Sequence, residues 1–447
     1  MLSSLVGFGR HTITGLLRTQ NRQQRDWTAD YRFYSRDRFD EEAVFDLVRK
    51  ILESHLQPKT PLVVAMDDSL LRKTGRHIHG VRYLRDPLSP PFNVNLVRGL
   101  RVLQCSAALP DGTGAARMIP VDFQHAVLPP KPAKNATEQQ WEAYQQERAQ
   151  RNINRLGLER IQRLRQQMDN GGSAQRKLVV VVDGRFTNST VLKAVPERTV
   201  LLGRLRKDTV LHYLPQQQPA HGRKRKYGQQ APTPEQLLQD EARPWQTVRG
   251  YACGQTHAFA IKSMGPVVMR MNGALMPVQI MVIKPLGYRL KIGGRLLFRR
   301  PAFLVCTDPQ LALEEFLQDY LWRWDIEVNF RDQKTILQVG QAQVRTENSA
   351  QNAPALGVAA YSMLWLAAAQ TYGLTGVPDR QHQPKWYQRD TEHRATTNEL
   401  INQLRIDLWA SALRPGHFSD FMTSTPPDLK SKKSEFNPAA AMFASIR

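Results

Sequence analysis

Tyr320, Arg323, Glu327, Arg331 and Lys334 have the side-chain types that phosphate chemistry needs, at a spacing that puts them together. At 100° per residue they fall in one helical stripe about 80° wide. The carboxylate of Glu327 suits a divalent metal, and Arg323, Arg331 and Lys334 around it suit the backbone of a nucleic acid. The competing reading is a surface helix laced by ion pairs, since Arg323 and Glu327 are four residues apart. Trp324 lies beside the stripe and offers a ring to an unstacked base, whereas Trp322 lies behind it and belongs to packing. Asp332 falls off the stripe.

Two further acids weigh against the surface-helix reading. The apolar run 62–66 stops at Asp67-Asp68, and the β-branched run 178–182 stops at Asp183. Both read as buried strands ending in carboxylates, and in a mixed sheet such ends can lie side by side. A helix packed beside them would bring Glu327 close, forming a three-carboxylate cup for two Mg²⁺ ions, with Mn²⁺ able to substitute. Such a pair would serve an in-line displacement on phosphorus. Asp67 is preferred to Asp68 as ligand because neighbouring strand residues point to opposite faces, leaving Asp68 as the fallback. Asp308 reads as a turn or helix-cap acid. His77, His79, His212, His221 and His257 have no zinc-ligand spacing, so no zinc is expected.

The elements that must hold these groups are legible in outline. Helices are expected over 12–17 and 38–56, strands over 62–66, 93–105 and 117–123 with a Gly-containing turn at 111–114, and a helix over 137–168 opened by a Thr137/Gln140 capping box. Strands follow at 178–182 and 199–202. A β-rich insertion of about 90 residues, with strands near 267–271 and 278–283, carries the basic loop Arg223, Lys224, Arg225 and Lys226, a candidate phosphate contact. A strand at 303–306, a helix over 311–335 and an apolar helix over 357–371 precede a Ser/Pro/Lys-rich tail from about Thr423. The implied boundaries are 1–60 (a helical module expected to bind DNA through a basic surface with Arg10, Arg18, Arg22, Arg25 and Arg32), 61–203, 204–300, 301–355 and 356–447.

Composition narrows the function classes. The chain has 447 residues, and 62 Lys+Arg against 40 Asp+Glu gives 62 − 40 = +22. A hydrophobic fraction of 41% with 23% charged residues is that of a globular protein, not a disordered chain. Three scattered cysteines, Cys105, Cys253 and Cys306, exclude a disulfide framework or a four-cysteine metal site. The positive surplus makes nucleic acid the leading partner over an anionic membrane. No run approaches the length of a membrane span and the first residues lack a signal-peptide core, so a cytoplasmic setting with no membrane partner is expected.

The chain resembles the DDE transposases of bacterial insertion sequences, from the group with the motif Tyr-x2-Arg-x3-Glu-x6-Lys. Here the motif reads YLWRWDIEVNFRDQK, and Tyr320, Arg323, Glu327 and Lys334 satisfy each spacing. Met66-Asp67-Asp68-Ser69 is similar to the family's first-Asp region, and Val182-Asp183-Gly184-Arg185-Phe186-Thr187-Asn188 to its second. The resemblance spans about residues 62–346. It implies an α/β fold: an RNase-H-like catalytic core with a β-rich insertion subdomain and an N-terminal helical module. It implies Asp67, Asp183 and Glu327 as catalytic metal ligands, and Tyr320, Arg323 and Lys334 as phosphate-positioning residues. Trp324 matches a tryptophan that follows the motif arginine in some relatives. The implied activity is cleavage of element ends and joining of the 3′-OH to target DNA, with a hairpin intermediate in some members. The implied partners are double-stranded DNA with terminal inverted repeats, target DNA and a second copy of the chain in a synaptic homodimer, on a bacterial nucleoid. Competing readings are a catalytically defective or domesticated DNA-binding protein, and a stand-alone RNase-H-like DNA nuclease.

Overall fold

The structure, a computed structural model, describes residues 1–86, 89–90, 92–216, 221–222, 224–270, 276–291, 293–377 and 394–413. Arg223 and the tail from Thr423 lie outside the described residues. Four helices open the chain: α1 (Leu2–Val6), α2 (Ile13–Thr19), α3 (Thr28–Ser35) and α4 (Glu41–Ser54). Thr12 caps α2 and Asp40 caps α4, each side chain accepting from the backbone N–H three residues on. Val48 and Leu52 of α4 are buried in the same core as Leu62, Val64 and Met66. The N-terminal helices are therefore packed onto the sheet.

The next elements are β1 (Leu62–Arg72), β2 (Arg82–Arg85), β3 (Leu96–Pro110), β4 (Ala116–His125), α5 (Glu138–Gln150), α6 (Ile153–Asn170), β5 (Leu178–Val182), α7 (Ser189–Leu192) and β6 (Thr199–Arg204). β3 runs antiparallel to both β1 and β4, and β5 runs parallel to both β1 and β6. All five residues of β5 are buried, as expected of a central parallel strand. The Thr137/Gln140 capping box forms, but the helix expected over 137–168 is two helices, because Asn152 caps a new start at α6. The turn between β3 and β4 is made with Gly112 at φ 86° and Gly114 at φ 104°, where a side chain would be strained.

The stretch 204–300 contributes β7 (Leu211–Tyr213), β8 (Gln230–Ala231), α8 (Pro234–Gln239), β9 (Gln246–Ala252), β10 (Gln255–Met269), β11 (Pro277–Ile283), β12 (Gly287–Tyr288) and β13 (Leu297–Phe298). It is followed by β14 (Ala302–Cys306), α9 (Leu313–Trp322), α10 (Trp324–Thr335), α11 (Glu347–Tyr372) and α12 (Thr397–Leu413). β14 pairs with β6 on one side and β11 on the other, so these strands continue the central sheet. Its order among the described residues is β2-β3-β1-β5-β6-β14-β11-β10-β7-β8, with β4 on β3 and β9 on β10.

Two expectations need correction. β1 does not stop at Asp67: it stays paired with β3 as far as Arg72↔Gly99. What stops is β5, at Val182, so beyond Met66 the other side of β1 has no strand beside it. The helix expected over 311–335 is broken at Arg323, where Arg323 N–H bonds to Tyr320 O at 3.3 Å and Ile326 N–H to Arg323 O at 3.2 Å. These three-residue bonds tighten the turn and interrupt the 100° periodicity that the stripe assumed. α11 is long and apolar enough to cross a membrane, but 78% of its most apolar window is buried inside the protein, where it packs against β4 and α4.

Candidate active site

The last paired rung between β1 and β5 is Met66↔Val182, which puts Asp67 and Asp183 at the next step on neighbouring parallel strands. Such strands lie about 4.8 Å apart and registered side chains share a face. The segment after Asp183 is pinned from inside. Phe186 is fully buried against α6, and a Cβ at Gly157 would stand 2.8 Å from its ring, so only glycine admits the ring there. Arg185 N–H donates to Asp183 Oδ1 at 2.9 Å, and the Thr187 hydroxyl to Asp183 O at 3.0 Å. On α10, Glu327 faces the same space, and the three acids line one cavity of about 1360 Å³.

Arg323 sits among them. Its Nη1 donates to Asp67 Oδ2 at 2.9 Å, while Asp68 N–H donates to Asp67 Oδ1 at 2.8 Å. Burial pushes the Asp67 carboxyl up to about 7; Asp183 and Glu327 push the same way and Arg323 opposes. Burial works against the Arg323 charge, but Tyr320, Asp67, Glu327 and Asp183 outweigh it and raise its pKa. Eleven residues on, Lys334 Nζ donates to the Ser69 hydroxyl at 2.5 Å. Burial lowers the Lys334 pKa, partly countered by Glu327. Arg323 and Lys334 thus tie the two ends of the acidic helix face to Asp67 and Ser69 of β1.

The remaining candidates divide. Arg331 lines the cavity, with Nε and Nη2 both 3.0 Å from Asp332 Oδ1. Tyr320 is half-buried beneath Arg323, with its ring centre 6.0 Å from the guanidinium carbon, and is not among the cavity's lining residues. Trp324 is 68% exposed and also lies outside the cavity. Trp322 packs inward, its indole N–H donating to Gly114 O at 3.0 Å. Lys224, Arg225 and Lys226 follow β7 in a loop that lines no part of this cavity. Asp308 makes a turn, accepting from Gln310 N–H at 3.1 Å.

Asp68 lines the same cavity as Asp67 and pairs there with Arg101 at 3.2 Å and Arg185 at 3.4 Å. Arg101 escaped the sequence reading. Nothing in its local pattern marks it, and only the register Leu70↔Arg101 brings it here.

The donor set is all carboxylate oxygen, the chemistry of Mg²⁺ or Mn²⁺ and not of a thiolate- or imidazole-bound metal. The upward shift of Asp67 means that negative charge is held here at a cost that a cation relieves. As the side chains stand, no three His, Cys, Asp or Glu among the described residues gather tightly enough to hold one ion, and Arg323 covers Asp67. The three acids therefore share a cavity whose oxygen donors suit a divalent ion, but they do not form a closed metal site as they stand.

The family described as DDE superfamily endonuclease matches residues 2–258, more than half of the chain. The chain belongs to the DDE superfamily of endonucleases. The matched region contains Asp67 and Asp183 and stops short of Glu327, so the third acid of this DDE endonuclease rests on the motif spacing and on the shared cavity. No curated protein matches the chain.

Proposed function

We propose that this DDE endonuclease is a metal-dependent transposase of a bacterial insertion sequence, which cleaves element ends and joins their 3′-OH groups to target DNA. The observation that carries the proposal is the convergence of Asp67, Asp183 and Glu327 on one cavity whose other charged lining is mostly Arg and Lys, with Asp68 and Asp86 among them. The strand sequence β4-β3-β1-β5-β6, with β3 antiparallel to its neighbours, supports an RNase-H-like core. The strands β7–β14 then correspond to the material between the fifth core strand and the acidic helix.

Asp67, Asp183 and Glu327 would hold a pair of Mg²⁺ ions. When bound, such a pair activates the attacking water or 3′-hydroxyl and stabilises the leaving oxygen of an in-line displacement. Arg323, freed from Asp67, is placed to turn its guanidinium to a phosphate oxygen, for which its planar fork is suited. Lys334, fixed by Ser69, and Arg331 extend the positive row along the same helix. Tyr320 braces Arg323 from below. The partners are duplex DNA carrying terminal inverted repeats, target DNA and a second copy of the chain, on the nucleoid in the cytoplasm; excision through a hairpin belongs to the same scheme.

The test is a Mg²⁺- or Mn²⁺-dependent cleavage and strand-transfer assay on DNA carrying the ends of the element. Glu327→Gln, Asp67→Asn and Asp183→Asn are each expected to lose cleavage by at least about a thousandfold, while binding to the ends falls little. Near wild-type cleavage by any of the three would remove that residue from the site. Cleaved ends without joined product would reduce the proposal to a nuclease.

A further inference from the structure

A second cavity, of about 1000 Å³, lies between the N-terminal helices and the loop that follows α10. It adjoins the carboxylate cavity, because Arg10, Thr12 and Gln341 line both. Its lining includes Arg10 and Arg18 and no acid, and it carries the rings of Phe8, Trp27 and Tyr31. Phe8 is 43% exposed and Trp27 53%, unusual for large rings with a core at hand.

The loop on the opposite wall is held in an uncommon shape. Gln338, which lines the cavity, has φ 52°, a left-handed conformation that costs a residue with a side chain about 1 kcal/mol or more. The flanking residues are tied down: the His11 ring bonds to Leu337 O, and Lys73 Nζ donates to Gly340 O and Ala342 O. The wall next to the acidic helix is thus fixed from the segment just before α2 and from the residue just after β1.

We infer that this cavity receives an unpaired stretch of the DNA strand that runs past the carboxylates. Cations without acids select a polyanion, and exposed rings inside a cleft stack on base faces, which a paired duplex keeps covered. Arg10 stands at the junction, where a strand leaving the acids would present its next phosphates; Trp27 lies further in and takes a base, while the Phe8 ring already carries the Arg405 guanidinium 4.1 Å from its centre. The inference rests on the reading of the carboxylate cavity as the place where a strand is cut, and it gives the N-terminal helices a single-strand role.

The test uses binding without cleavage, in Ca²⁺, with the full chain, an oligo-dT strand containing one 2-aminopurine and a blunt duplex of equal length. Wild type is expected to bind the single strand and quench the 2-aminopurine by stacking. Trp27→Ala should weaken single-strand binding about tenfold and abolish the quench, with duplex affinity within about twofold. Trp27→Phe, which keeps a ring, should recover most of both, and a matching thermal melt shows that the variants are folded. Equal loss on both probes, or no loss on either, overturns the inference and leaves the cleavage reading standing. Failure of wild type to bind the single strand overturns the inference alone, since the cleavage reading is tested on DNA carrying the element's ends.

Discussion

Ser69 is the residue whose role the structure makes most specific. Its hydroxyl receives Lys334 from 265 residues away, and Asp67, two positions earlier on the same strand face, receives Arg323 from 256 residues away. The three acids and the motif cations were chosen as candidates from residue type and spacing. Their pairings were not legible there, because they depend on where α10 meets β1. Ser69→Ala removes the acceptor that aims Lys334 and is expected to slow cleavage at saturating DNA about fivefold, the rate equivalent of one hydrogen bond of about 1 kcal/mol. Ser69→Thr should restore the rate, since the hydroxyl remains. A rate unchanged in Ser69→Ala would mean that Lys334 is aimed by something else. Arg323 has a different part: it lends Asp67 a positive charge, and in the proposed reading a divalent ion would take its place.

At the scale of elements, strands were readable where burial is complete and misread where it is one-sided. β5 was delimited from its five apolar residues, whereas β1 was cut short because Asp67 to Arg72 leave the apolar pattern while keeping their ladder to β3. The acidic helix was read as continuous because its composition is helical throughout, and the tightened turn at Arg323 leaves no mark in composition. α9 carries a burial of its own. Asp319 is 6% exposed, and burial, with Glu315 adding, pushes its carboxyl up from 3.8 to about 7. A raised folded-state pKa favours the folded protein fully below pH 3.8, where both states are protonated, and that advantage is lost as pH climbs to about 7. Asp319→Asn has nothing to ionise. Its melting temperature should therefore gain on that of wild type between about pH 4 and 7, by no more than about 4 kcal/mol in stability. Parallel melting curves across that range would refute the shift.

Across the whole molecule, one sheet joins the residues that hold the acids to the strands expected as a separate insertion, so load placed on the outer strands reaches β6 and β5 through β14. The chain as a whole carries a surplus of 22 positive charges. Two groups of cations then ask for different tests. Arg331 and Lys334 line the acid cavity, and the loop of Lys224, Arg225 and Lys226 does not. If the loop grips duplex phosphates away from the cut, replacing all three with Gln should lower the slope of log K against log salt by about 2–3 units, at about 0.9 per phosphate released. Cleavage should then recover when protein is raised to saturation, because affinity alone was lost. Arg331→Gln with Lys334→Gln should lower the slope by less than about 2 units and leave cleavage slow at any protein concentration, since those cations share the cavity of the three acids, where the proposed reaction takes place. A loop variant with an unchanged slope would make that segment a solvated turn, and would move the search for the duplex track to the arginines of the N-terminal helices.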